Sequence, residues 1–580
     1  MRQRSVKLLA VGSMCLAAAA AAIGCEDPKV HYANNDLFVA EVAPPPVSGG
    51  TLLVMADDIR AVAADPDRDR VWVVNLAGQV FERAIVLEKG DEPGRVVEGS
   101  GGLVHVALRK GGAIATVNPA TGEIVRRTAV CAAPRGMALD SEKGLLHVAC
   151  ANGQLVTMTE STGDVVRTLH LDADLRDVVI NGDLLLVSRF RQAEVIAINA
   201  AGDIVSRALP PTMTFDTFDP DTGEAKDGHF EPAVAWRTIP MGESLLMVHQ
   251  RGKVEEIEIE QPGGYGGGDT CGSIVHTGLS AFKVDAEGQL LGPQNAITRL
   301  GGVLPVDVAL SKSGSLIAVA NAGSDNVVFE NASDVKNEVP LDCNFGSMPV
   351  GGTPIAVAFV GENLVVQSRQ PAAITIVTTG VRIVLPAASV RDTGHDFFHK
   401  APSLLQGSNL SGDEPMFFGT SLACASCHPE GGDDAHTWRF KGMGPRRTQT
   451  LRGGVMETLP LHWDGDMDDV AEIMEEVFQH RMGGAETGAG QAAAISHWIN
   501  AIPAPAPMRA SNDAAVLRGK ELFESAQVGC ADCHSGAHLT NNQNASVGRA
   551  ETLQVPTLIG VAWRAPFMHD GCAATLRDAL

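Results

Sequence analysis

Two stretches of this sequence share a spacing that serves a specific chemistry. "SLACASCHPEGG" (421–432) holds Cys424, Cys427 and His428, and "VGCADCHSGAHL" (528–539) repeats the pattern with Cys530, Cys533 and His534. Two thiols so spaced can add to the two vinyl groups of a haem, and the histidine after the second thiol becomes an axial ligand of the iron. A zinc ribbon would need its cysteine pairs about 15–20 residues apart, whereas these begin at 424 and 530. A thioredoxin-like redox pair needs no histidine after it. The spacing therefore predicts two covalently bound c-type haems, with His428 and His534 as iron ligands.

Helical signals surround both motifs. In "DDVAEIMEEVFQHRM", Val470, Ile473, Met474, Val477 and Phe478 recur at the spacing of one buried helical face. "GQAAAISHWINAI" is a second helix, and "PAPAP" breaks the chain after it. "NDAAVLRGKELFES" opens a third with an amino-terminal cap. The reading is a mainly α di-haem module in two halves, 395–505 and 511–580.

The ordered landmarks "LACASCHPEGG", "GPRRTQTL", "LHWDG", "LFESAQVGCADCHSG", "VPTLIGVAWRAPFMHDG" and "ATLRDAL" resemble the bacterial di-haem cytochrome c peroxidase and MauG superfamily over about residues 395–580. The resemblance implies that the first haem meets hydrogen peroxide and the second receives electrons from a small cytochrome or copper protein. It gives Trp463, in "HWDG", the place of a tryptophan lying between the haems, either an electron bridge or an aromatic packed against haem. His436, in "HTW", resembles the histidine that caps the resting peroxidatic haem, with a surface histidine as the plain alternative. Met568 is the only methionine after His534, a candidate ligand of the second haem or simply core. Glu475 and Glu476 stand where the family carries the acid that shuttles protons during peroxide cleavage, unless they are solvated helix charges. A tyrosinate ligand is excluded on this reading, because the only tyrosines, Tyr32 and Tyr265, lie outside the haem region. Relative to the family the chain looks truncated at Leu580. Beside a peroxidase, the resemblance leaves open a non-catalytic electron-transfer cytochrome and a MauG-like oxidase of an organic or protein substrate.

What precedes the motifs is repetitive. "NPATGEIV", "ESTGDVV" and "NAAGDIV" place Gly122, Gly163 and Gly202 at intervals of 41 and 39. Each is a polar turn between alternating apolar runs, a strand signature. One unit divides into four short strands, the composition of a propeller blade. Seven blade openings can be counted: "RAVAADPDRDRVWVVN", "GRVVEGSGGLVHVAL", "PRGMALDSEKGLLHVAC", "RDVVINGDLLLVSR", "PAVAWRTIPMGESLLMVH", "PVDVALSKSGSLIAVAN" and "PIAVAFVGENLVVQS". Residues 37–390 thus read as an all-β seven-bladed propeller, resembling the YVTN or YncE-like propellers. "PPTMTFDTFDPDTGEAKDGHFE" and "QPGGYGGGDTCGS" read as loop insertions. Nothing in the propeller looks catalytic, so it would present a partner, or be the working binding module with the haems accessory.

At the amino terminus Arg2, Arg4 and Lys7 precede an apolar run, and Ala22-Ile23-Gly24 precede Cys25. This is the pattern of an export signal ending in a bacterial lipobox, with Cys25 lipidated and 25–36 a linker. A periplasmic protein whose membrane contact is that lipid is the expectation. Losing residues 1–24 removes three positive charges and takes the net charge from −24 to −27. Such a surface repels nucleic acid and would attract a small basic electron carrier, though acidity also simply keeps exported proteins soluble. Of the remaining cysteines, Cys131 with Cys150 and Cys271 with Cys343 are the expected disulfides, which leaves Cys572 over.

Overall fold

The computed structural model describes residues 36–218, 225–259, 264–266, 273–295, 301–340, 347–405, 422–546 and 552–580. The expected export signal with Cys25, Tyr32 and the expected Cys271–Cys343 disulfide lie outside these residues.

Seven antiparallel sheets follow one another along the chain, each built from consecutive strands. The first comprises Leu52–Val54, Arg60–Asp65, Arg70–Asn75 and Val80–Val86; the second runs from Pro93–Glu98 to Glu123–Ala129, and the third from Pro134–Asp140 to Val165–His170. The fourth spans Leu175–Asn181 to Ile204–Ala208, the fifth Met213–Phe218 to Leu290–Leu291, the sixth Pro305–Leu310 to Ser347–Pro349 and the seventh Pro354–Val360 to Val381–Val384. This is a seven-bladed β-propeller. Gly122, Gly163 and Gly202 hold φ of +83°, +81° and +100° at the turns entering the last strands of blades two to four. That left-handed conformation is one a side chain would strain, which is why the repeat is visible as glycine.

Alternating strand residues bury one apolar face against each neighbouring blade. Val62, Val73 and Ile85 of blade one meet Val104, Val106 and Leu108 of blade two, and comparable clusters fill the following interfaces. Among the described residues no strand is shared between the first and last blades. The ring closes by packing of Trp72 and Val74 on Val365 and Ile374, and by Gln367, whose amide donates to the Ala64 carbonyl at 2.8 Å and accepts from Thr51 at 2.8 Å. A disulfide joins Cys131 and Cys150 in blade three. The first expected insertion is not a loop: Met213–Phe218 pairs in register with Ala225–Phe230, extending blade five as a hairpin.

A short helix, α1 (Ala332–Lys336), belongs to blade six. Beyond the propeller come α2 (Thr393–His399), α3 (Pro402–Leu405), α4 (Cys424–Cys427), α5 (Val470–Ile473), α6 (Ala489–Asn500), α7 (Ala514–Phe523), α8 (Cys530–Cys533) and α9 (Leu576–Ala579). Two hairpins, Thr437–Phe440 with Gly444–Arg447 and Asn544–Ser546 with Thr552–Gln554, and much irregular chain make this region less helical than the periodicity implied. The amphipathic run after residue 469 starts as α5 and continues as a π-helix, Met474–Arg481. Its wider turn brings Met474, Phe478 and Arg481 onto the buried side.

The two regions share one core. Trp236, Val248, Val306 and Val319 of blades five and six belong to the same apolar cluster as Phe398, Leu422, Phe478, Ile495 and Trp498. The segment before blade one also crosses over. Phe38 and Ala40 bond to Thr393 and Asp392, the Val47 amide donates to His399 Nε2 at 3.1 Å, and Trp498 Nε1 donates to the Pro44 carbonyl at 2.9 Å.

Candidate cofactor site

The two cysteine motifs adopt one local geometry. In each, a single helical turn, α4 or α8, carries both thiols and ends at the histidine, whose backbone N–H donates to the first cysteine's carbonyl at 2.9 Å. His428 Nδ1 donates to the Gly432 carbonyl at 3.3 Å and His534 Nδ1 to the Leu539 carbonyl at 3.2 Å. A bond from Nδ1 to a backbone carbonyl fixes the tautomer and leaves the Nε2 lone pair for a metal.

Around the first motif lies a cavity of about 250 Å³. Cys424, Cys427 and His428 line it together with apolar Phe398, Leu422, Val455, Met474, Phe478 and Ile495. Burial pushes the Cys424 thiol up to about 12, and burial with nearby Asp434 holds Cys427 well above the usual thiol range. Burial brings His428 down to about 4, so its imidazole is neutral, as a ligand must be. Arg446, Arg447 and Arg564 supply cationic wall on another side, with Arg446 held by Asp464 at 2.7 and 2.9 Å. Two thiols one turn apart, a neutral imidazole, an apolar chamber and guanidiniums for acid groups fit a c-type haem. Among the described residues no group of three or more His, Cys, Asp or Glu side chains is gathered to hold a metal ion directly.

The second motif is less enclosed. Cys530, Cys533 and His534 are half-buried, and α7 before them buries none of its residues. Leu517, Leu522 and Val528 are 51%, 62% and 55% exposed. Apolar side chains beside a thiol pair are the surface a haem macrocycle would cover.

Trp463 joins the first cavity to the later part of the chain. It lines the first cavity, its Nε1 donates to the Arg447 carbonyl at 2.7 Å, and its ring stands 6.2 Å from that of His569. Its own carbonyl accepts from the Gln554 amide of the second half at 2.7 Å.

The other expected site residues fall elsewhere. His436 does not line the cavity: its ring nitrogen Nε2 bonds the Lys253 carbonyl of blade five at 3.0 Å, and it packs on Trp438. That bond fastens this segment to the propeller. Glu475 is exposed, Glu476 faces His480 at 3.6 Å with both partly exposed, and neither lines the cavity. The π-helical turn gives that face to Met474, Val477, Phe478 and Arg481 instead. Met568 is half-buried at φ +70°. Tyr265 reverses the expectation made of it. The second insertion brings it against Phe440, ring centroids 6.0 Å apart, into the wall of the first cavity. Burial raises its phenol, opposed by a hydrogen bond from Arg481. Its distance in sequence from the haem motifs concealed that placement.

An ionic plug under His428 was also missed. Two residues beyond the histidine, Glu430 reaches into the propeller and accepts from Arg176 at 2.6 Å, Arg135 at 3.0 Å, Arg109 at 3.2 Å and Ser48 at 2.5 Å. Burial opposes its charge, but Arg135, Arg176 and Arg109 hold the carboxyl well below the usual range. Asp433 accepts from Arg191 at 2.7 Å and Arg447 at 2.6 Å. Part of the signal was present: Arg95, Arg135 and Arg176 recur at intervals of 40 and 41, one cation near the start of the first strand in three successive blades, of which Arg135 and Arg176 reach Glu430 and Arg95 pairs with Asp177.

Among solved structures, hydrazine synthase of Kuenenia stuttgartiensis aligns with a TM-score of 0.45 at 15% identity, over 60% of this chain and all of that one. The Cps50 (Swd1) β-propeller domain of Myceliophteria thermophila aligns with a TM-score of 0.38 at 12% identity, over 59% of this chain and 97% of that one. No protein-family model and no curated protein matches the chain.

Proposed function

We propose that this chain is an exported di-haem c-type cytochrome that reduces hydrogen peroxide at its first haem. The observation that carries the reading is the paired motif geometry, repeated at His428 and His534, with the first copy opening into a largely apolar chamber. Haem c at both positions would supply redox-active iron, one centre for peroxide and one for electron entry. Cys424, Cys427, Cys530 and Cys533 would anchor the two macrocycles, and His428 and His534 would bind iron through Nε2. Arg481 and the Tyr265 hydroxyl present hydrogen-bond donors in the first cavity, where they can steady charge on a leaving oxygen. Electrons would come from a small cytochrome or copper protein and pass Trp463 between the two halves. The signal at residues 1–24 and lipid at Cys25 would place the protein in the periplasm, held at a membrane.

Tyr265 favours a second reading. A tyrosine in the wall of the first cavity restores the MauG-like alternative, oxidation of an organic or protein substrate, that its sequence position had counted against.

The test is an optical and electron paramagnetic resonance titration of the purified holoprotein. Two haems per chain by pyridine haemochrome and a peroxide-driven spectral change are expected. Two haems with no response to peroxide would leave a pure electron carrier, and a mass equal to the bare polypeptide would overturn the proposal.

A further inference from the structure

The segment carrying His428 is gripped from the propeller side. Residues 429–431 form one tight turn in which Glu430 adopts φ +52°, a left-handed conformation that a residue with a side chain holds only when its surroundings impose it. The imposing contacts are those of Glu430 with Ser48, Arg109, Arg135 and Arg176. Three residues on, Asp433 is held by Arg191 of blade four and by Arg447. Between these two anchored carboxylates lies the Gly432 carbonyl, the acceptor of His428 Nδ1–H. Gly431 packs on Ile502 and Pro46, with no room for a side chain.

The arginines are fixed in turn. Arg176 is fully buried and also donates to the carbonyls of Ser48 and Trp236 at 2.7 and 3.0 Å. Arg135 donates to Asp174 at 2.7 Å, and Arg191 donates to that same carboxylate at 2.8 Å. Arg135 and Arg176 also lie over the Phe190 ring, 4.9 and 4.3 Å from its centroid. None of these groups has freedom to follow a displaced loop.

We infer that the propeller is the positioning half of the first cofactor site: Glu430, seated in the ring of Arg109, Arg135 and Arg176, sets the orientation and basicity of His428 through the Gly432 carbonyl. The inference rests on the haem reading above. Glu430 and its arginines touch neither substrate nor cofactor; they act through the histidine and through the field at the iron. A carbonyl held firmly against Nδ1–H strengthens the imidazole as a donor. One carboxylate among three guanidiniums also lowers the positive potential beneath the first haem's position, and among the described residues no carboxylate so ringed by arginines adjoins the second motif.

The experiment is a potentiometric titration of the intact holoprotein with the two haems resolved by optical and paramagnetic resonance spectra. Glu430→Gln leaves three cations without their anion, so the first haem's midpoint potential rises while the second haem's stays in place. Arg109→Gln removes one cation and lowers the first potential, an opposite sign that a general loosening of the fold would not give. Arg109 is less deeply buried than Arg176, 12% exposed against 1%, so this variant carries the test if Glu430→Gln fails to accumulate. Equal shifts at both haems, shifts of the same sign in the two variants, or no shift in either would overturn the inference. Absence of haem from the unmodified protein would instead overturn the functional proposal, and a haem count of two in the variants keeps the two failures apart.

Discussion

Replacing Trp463 with phenylalanine separates an electron bridge from a packed aromatic. The substitution keeps a ring in the cavity wall but removes the Nε1–H bond to the Arg447 carbonyl. Such a bond contributes about 1 kcal/mol, and an acceptor left unsatisfied can cost about 1–3 kcal/mol. Trp463 is half-buried, so the lower part of that range applies. A loss of about 1–2 kcal/mol should lower the melting temperature by a few degrees. Transfer between the halves should suffer more. If the indole, which stands against His569 on one side and the first cavity on the other, carries the electron, exchange should slow by roughly tenfold or more, equivalent to about 1.4 kcal/mol on the barrier. The assay is stopped-flow: reduce the second haem rapidly, follow the first, and repeat with Trp463→Leu, which abolishes the ring. Both variants should retain two haems and show slowed exchange. Melting temperatures that fall while exchange stays within twofold of the parent would refute the bridge and leave Trp463 as packing.

Three other outcomes are expected. Tyr265→Phe removes the hydroxyl bonded to Arg481; the haem count should stay at two while the peroxide-driven spectral change slows, and an unchanged rate would exclude the phenol from the chemistry. Replacing Cys131 and Cys150 together by alanine opens a crosslink between residues 19 apart, which should cost about 3 kcal/mol in denaturant unfolding by loop-closure entropy; a loss under about 1 kcal/mol would show blade three to be held by its strands alone. Glu330 is raised by burial, with Asp334 adding, from 4.5 to about 7, and its Oε1 finds no partner. The folded state therefore holds that proton more tightly than the unfolded one, so stability is highest below about pH 4.5 and falls as pH rises through 7. Glu330→Gln should accordingly gain about 1–2 kcal/mol at pH 8, after allowance for partial solvent screening, and nothing near pH 4; equal gains at both pH values would contradict the titration.

Local signals gave the propeller, and long-range closure hid much of the site. The glycines at 122, 163 and 202 mark turns whose backbone only glycine takes without strain, so blade number and spacing could be counted directly. The cysteine motifs were equally readable, because thiols and imidazole share one turn of chain. What could not be read was which surfaces meet. The helical period after residue 469 was legible, but the π-helical turn that removes Glu475 and Glu476 from the cavity was not. His436 looked like a ligand by resemblance to a family histidine, yet a carbonyl of blade five claims it. Tyr265 and the arginine ring come from blades far from the motifs in sequence, and only the folded ring carries them there. The arginines at 95, 135 and 176 stand in the sequence as a repeat, but their partners, Glu430 for Arg135 and Arg176 and Asp177 for Arg95, are given only by the fold.

The segment of residues 38–48 bonds to groups 352 to 454 positions further along. Contacts of such separation are the slowest to form. A chain emerging amino terminus first must therefore hold this segment in waiting until nearly five hundred residues have followed, with the blades already stacked. Docking of the region after the propeller is then the step that seals the molecule, and thioether attachment at Cys424 and Cys427, as the proposed function requires, would fall most readily before it, while the turn that bears them is still open to solvent.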